Sequence, residues 1–308
     1  MIDTKLIMLE GLPATGKSTN SDFLRMQLER NGKKANWIHE VASPHPVLLF
    51  FEDPGSWDVS LDQYEEAALK KWARFAETAL QDRDTITILD SSMFQAQIFV
   101  FLWNNAPYER LEQFVHQLYR IVECLHPSLF YLYRENTEAT IDYLEQDRGR
   151  EGLESIWERD KTRPYYQGKP EGAEGFKYFL RDYANAANLL FDSLDCRKMP
   201  IEISEADWPC HEAQMLSFLG IENMPSPLFL PPNGVYRNAE LNYKITVDGL
   251  TMTDPNGDNI KLTPKNANEF YVACLPIVLH FEDPEQMAIS GIQICERWTT
   301  TGMRYAKE

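Results

Sequence analysis

The stretch "LIMLEGLPATGKSTN", Leu6 to Asn20, decides how the chain is read. "KLIMLE" is a short apolar run of the kind that forms a buried strand. It leads straight into Gly11-Leu-Pro-Ala-Thr-Gly16-Lys17-Ser18, which fits G-x-x-x-x-G-K-[ST]. After it, Phe23, Leu24 and Leu28 recur at helical spacing, and Gly32 is a stop signal. Strand, loop and helix thus follow in the order a phosphate cradle requires. The glycines let the backbone curl so that its N–H groups point inward. The helix N-terminus adds partial positive charge. Lys17 is expected to reach the β- and γ-phosphates of a nucleotide, and Ser18 to place its hydroxyl on Mg²⁺. The donor implied is ATP with Mg²⁺, held by Gly11, Thr15, Gly16, Lys17, Ser18 and Thr19.

Outward from this stretch, apolar runs alternate with longer amphipathic ones to about residue 220. "KANWIHE", "TITILD", "LFYLY" and "MPIEIS" read as strands. "SLDQYEEAALKKWARFAETALQDR" reads as a helix whose apolar side is Ala67, Ala68, Trp72, Phe75 and Leu80. "YERLEQFVHQLYRIVECL", "NTEATIDYLEQD" (capped by Asn136 or Thr137), "EGFKYFLRDYANAANLLFDSL" and "HEAQMLSFLG" supply further helices. The strands are apolar throughout, not alternating, which predicts an α/β fold: a parallel sheet with helices on both faces. The pattern changes at "NMPSPLFLPPNG", where four prolines precede Gly234. Short alternating segments follow, with "DPNGD" at Asp254–Asp258 as a hairpin signal. The expected units are an α/β domain over 1–222, a linker over 223–234 and a small all-β domain over 235–308.

The chain has 308 residues, 44% of them hydrophobic, so a sizeable core can form. Its formal net charge of −17 works against non-specific nucleic-acid binding and against docking on anionic membranes. No run approaches the ~18 apolar residues of a membrane span. The five cysteines include no C-x-x-C pair, which predicts reduced thiols in a cytoplasmic protein.

On the cradle and its context, the first 220 residues resemble the P-loop NTPases, and within them the branch of deoxynucleoside and thymidylate kinases. The resemblance implies a phosphotransferase. It implies that Glu40, closing "WIHE", sits near an acceptor hydroxyl and acts as base, with His39 as its rival. Asp90, ending "TITILD", falls at the carboxyl edge of the sheet, where ligands bind in open α/β folds. It is expected to hold Mg²⁺ through water or to contact the acceptor. The family carries an Arg after this acid and this chain has Ser91, so a neutral hydroxyl acceptor fits better than a nucleotide. Arg148 and Arg150 match the paired arginines of a lid that closes over the phosphates, with Arg159, Lys161 and Arg163 behind them. Phe50, Phe51, Trp57, Tyr64, Trp72 and Phe75 read either as the wall of an acceptor pocket or as core. "SPHPVLLFFEDPGSWD" reads as a lip over such a pocket.

The last segment resembles small lipocalin-like β modules attached to some serine hydrolases, through "GVY", "LTP", "NEF" and "LHFE". It is expected to help bind the acceptor, to support a homodimer, or to cap the first domain. Together these readings predict a kinase acting on a small hydroxyl compound, nucleoside-like first, sugar or antibiotic next. The alternative is a nucleotide-hydrolysing regulator whose β domain binds a partner.

Overall fold

A computed structural model of the chain describes residues 3–49, 59–294 and 296–308. The sheet is parallel, in the order β2(Lys34–Ile38), β3(Thr85–Asp90), β1(Leu6–Gly11), β4(Ser128–Tyr133), β5(Arg197–Glu202). β1 lies at its centre, paired with β3 and β4. Every β1 residue is buried, with Leu6 and Met8 on one face and Ile7 and Leu9 on the other. This two-sided burial is why the run had to be apolar.

One face carries α1(Lys17–Arg30) and α7(Trp208–Leu219). The other carries α2(Leu61–Gln81), α3(Gln95–Trp103), α4(Tyr108–Val122), α5(Thr137–Asp160) and α6(Gly172–Ser193). The expected fold class is therefore the one observed. Asn136 caps α5 by accepting from the Glu138 N–H. Two local readings change. β2 ends at Ile38, so His39 and Glu40 lie in the turn beyond it. Leu80 is exposed, because the apolar stripe of α2 runs through Tyr64, Ala68, Trp72, Phe75 and Ala76. Tyr64, Trp72 and Phe75 are thus core, packed with Phe94 and Phe114. Phe50, Phe51 and Trp57, with most of the expected lip, lie outside the described residues.

Residues 234–307 form a closed antiparallel barrel of eight strands, β6(Gly234–Asn238) to β13(Arg304–Lys307), sealed by β13 pairing with β6. An eight-stranded barrel is just wide enough for side chains to fill. Here they do: Tyr236, Ile245, Met252, Phe270, Phe281 and Tyr305 are among the buried residues that meet inside. The barrel is a packed body rather than an open cup.

It is also not tethered loosely. The connecting stretch lies along α1: the Met224 N–H donates to Gln27 Oε1 at 2.9 Å, and Arg30 Nη1 donates to the Met224 carbonyl at 3.3 Å. The barrel itself sits on α1. Tyr271 donates to Glu29 at 2.8 Å, and the Cys274 N–H donates to Asp22 at 3.1 Å. On the other side, the Ser43 N–H donates to the Gln293 carbonyl and Ala42 bridges Ile294, three residues past Glu40 or fewer. Cys124, Cys196, Cys210 and Cys274 are free thiols. No described helix is long and apolar enough to cross a membrane.

Candidate functional site

Three neighbouring strands end at one edge of the sheet, and each delivers part of the site. β1 runs into the cradle, β3 ends at Asp90, and the turn after β2 carries Glu40.

The cradle depends on two glycines. Gly11 has φ +148°, and a Cβ there would stand 2.3 Å from the Leu132 carbonyl oxygen and 2.9 Å from Thr15 Oγ1. Gly16 has φ +82°, and its Cβ would meet the Trp208 ring at 2.9 Å. Gly16 is also the N-cap of α1, with no side-chain cap and no acidic residue in the first turn, so the helix end is left free for an anion. Gly11→Ala is expected to cost about 2–4 kcal/mol, since the obstacle is strand backbone that cannot step aside. A loss of unfolding free energy, read from urea denaturation, smaller than about 1 kcal/mol would contradict that packing.

Inside the loop, Leu12 O accepts from both Thr15 Oγ1 and Lys17 Nζ, each at 2.8 Å. Ser18 donates to Asp90 Oδ2 at 2.6 Å, and Ser91 donates to Asp90 Oδ1 at 2.8 Å. Ser91 takes φ +57°, a left-handed turn at the strand end. Asp90 is fully buried. Burial pushes its carboxyl up, the negative Glu40 pushes the same way, and His39, Lys17 and the Ser18 hydroxyl oppose them. A buried carboxylate beside a serine hydroxyl is a hard-oxygen pair, the donor chemistry that suits a divalent cation such as Mg²⁺.

A cavity of about 340 Å³ opens above the cradle. Gly16, Lys17, Ser18 and Thr19 line one side, and Glu40, Ser91 and Gln95 another. Arg148 and Arg159 of α5 reach it, and Phe99, Ile156 and Phe176 give it an apolar wall. Glu40 accepts from Gln95 Nε2 at 2.6 Å. His39 is turned elsewhere: its ring packs on Trp37 and its Nδ1 accepts from the Val41 N–H.

The paired arginines are split. Gly149 breaks α5 with φ 72°, ψ 159°. Arg148 lines the cavity and makes no ion pair among the described residues, whereas Arg150 lies outside it, between Glu145, Glu154 and Glu174. Arg150 is thus not brought to the site that the sequence reading gave it. Arg159 is in the cavity wall but already gripped by Asp160 at 2.8 and 2.7 Å. Arg163 lies over Trp103, and Lys161 pairs with Glu158. Gln95, Phe99 and Phe176 were not read from the sequence as site residues. Only their register on α3 and α6 brings them there.

No protein-family model and no curated protein matches the chain. Among solved structures it is similar to the YorR protein from Bacillus subtilis in complex with phosphorylated GDP, at 12% identity and TM-score 0.41, over 70% of this chain and 95% of that one. It is similar to a thymidylate kinase from Ehrlichia chaffeensis at 12% identity and TM-score 0.42, over 70% and 97%. A third likeness is APE1195, at 15% identity and TM-score 0.37, over 71% and 96%. At these identities and scores the likeness says nothing about substrate or reaction.

Proposed function

We propose that the chain is a P-loop phosphotransferase that moves the γ-phosphoryl group of ATP to a hydroxyl of a small neutral acceptor. The observation that carries this reading is the shared cavity: a cradle built for phosphates faces a carboxylate, Glu40, across a space of small-molecule size.

The roles follow from the contacts. Backbone N–H groups of Gly16–Thr19 and the Lys17 ammonium hold the donor phosphates. Ser18 and Asp90 are the residues that would hold Mg²⁺, which when bound neutralises charge on the β- and γ-oxygens. Arg148 is the cation left to grip the transferring group. Both Asp90 oxygens are occupied by serine hydroxyls, whereas Glu40 lines the cavity with Oε2 steadied by Gln95. Glu40 is therefore the better base, accepting or orienting the acceptor's proton. With Ser91 in place of an arginine and Arg159 tied to Asp160, the acceptor end has little to offer a phosphate, and the apolar wall of Phe99 and Phe176 suits a nucleoside-like body. Sugars and antibiotics come next.

The test is ATP turnover against a library of nucleosides, sugars and aminoglycosides, with product mass as readout. ADP formation should rise with one class and yield its phosphorylated product. Glu40→Gln should then lower kcat about 10²- to 10⁴-fold while ATP still binds. If no class yields phosphorylated product above a Lys17→Ala background, the reading fails.

A further inference from the structure

We propose that Glu10 is a positioning residue for this site: its buried carboxylate is the N-terminal cap that α3 lacks, and through Gln95 it fixes the carboxylate of Glu40. Glu10 sits next to the cradle in a strand that is otherwise apolar, and it is fully buried. A buried carboxylate needs partners. Those of Glu10 are backbone: the Met93 N–H donates to Oε1 at 2.6 Å and the Gln95 N–H to Oε2 at 3.4 Å. Those donors bracket the start of α3: Met93 precedes its N-cap, Phe94, which offers no side-chain acceptor, Gln95 follows it, and the first turn has no acid. The four N–H groups at a helix start require acceptors from outside the helix. Gln95 is the first residue of α3, and its side chain donates to Glu40 at 2.6 Å. One chain of contacts thus runs from β1 through the α3 terminus to the proposed base.

The environment makes this cap sensitive to pH. Burial pushes the Glu10 carboxyl up to about 7, against the backbone N–H groups of Met93, Phe94 and Gln95 and the charge of Lys17, which pull it down. The titratable groups facing it are Lys17 of α1, Tyr131 of β4 and Tyr183 of α6, and burial keeps both tyrosines neutral. Above about 7 the carboxylate accepts charge-assisted bonds and holds Gln95 in place. Below it, the neutral acid holds the turn less firmly. Stability moves the other way. The folded value lies above the ordinary carboxylate value of 4.5, so between the two the folded chain keeps a proton that the unfolded chain has lost. Stability therefore falls as pH rises through that window.

The experiment is a pH titration by NMR of chain labelled with ¹⁵N at methionine and glutamine, with Glu10→Gln as comparison. The backbone N–H signals of Met93 and Gln95 are expected to move with one midpoint near 7, and the Gln95 side-chain NH₂ to move with them. In Glu10→Gln these movements vanish, and the fall in melting temperature from pH 5 to pH 8 becomes shallower. A Gln95 side chain that does not follow the Glu10 midpoint overturns the proposal, as does a titration that survives in Glu10→Gln. Should Glu10→Gln not fold, the wild-type midpoints alone still decide. The consequence for catalysis rests on the phosphotransfer reading above, but the titration does not, so the two fail separately.

Discussion

Lys17→Ala is expected to remove phosphoryl transfer to the limit of detection, a loss of at least about 10²- to 10³-fold, with the fold intact. The size follows from what the ammonium does. On the proposed phosphotransfer reading it is the cation placed where charge gathers on the transferring group, and removing a single preorganised donor of this kind costs about 2.7–4 kcal/mol of barrier. The fold is expected to survive because truncation orphans no hydrogen-bond acceptor, although the buried carboxyls of Glu10 and Asp90 lose the charge that opposes their rise and take up a proton more readily. Lys17 Nζ donates to the Leu12 carbonyl, but that oxygen also accepts from Thr15 Oγ1. The measurement is paired: ADP formation with and without acceptor, and the urea midpoint. Full turnover in the variant would sink the phosphotransfer reading. Lost turnover with a collapsed midpoint would mean that the lysine acts on the fold.

The same residues show how far a sequence can be read here. The cradle was legible because its glycines, lysine and serine are required by local geometry, which a short motif records. The position of Asp90 was legible because it ends an apolar run at the carboxyl edge of the sheet, whereas Glu40 lies two residues past β2 and was reached only through the resemblance. Arg150 was misplaced for an equally physical reason. Arg148 and Arg150 are two positions apart on α5, and i,i+2 side chains on a helix do not share a face, so only one of them can line the cavity. The register of α3 was not legible because "QAQIFVFLW" is apolar nearly all round and carries no helical period. Without that register, Gln95 and the Glu10 cap could not be placed, although a lone acid in "LIMLEG" was the visible sign. Barrel closure joins β13 to β6 across the whole domain, and no local pattern records that pairing.

The docking of the barrel was illegible for the opposite reason, because its residues look ordinary. Asp22, Arg25 and Glu29 have the spacing of a solvated helix face, yet Asp22 and Arg25 are nearly fully buried. Arg25 pairs with Asp22, reaches the Leu275 carbonyl at 3.4 Å, and lies over the rings of Tyr271 (4.7 Å) and Trp37 (5.4 Å). Arg25→Ala is therefore expected to destabilise the chain by about 3–5 kcal/mol, since it strands a buried carboxylate. The deficit should depend on pH. Burial already pushes the Asp22 carboxyl up, and Arg25 is the group that most opposes this. Without the arginine the carboxyl rises further and takes up a proton more readily, which relieves the stranded charge. The gap between variant and wild type should thus narrow in acid and widen toward neutral pH. The double variant Asp22→Asn/Arg25→Met should recover most of the loss, because it leaves no uncompensated charge. Since α1 also carries the cradle, Arg25→Ala is expected to weaken ATP binding, and the double variant to restore it. A single variant within about 1 kcal/mol of wild type at neutral pH would mean that the pair does not hold the barrel to α1.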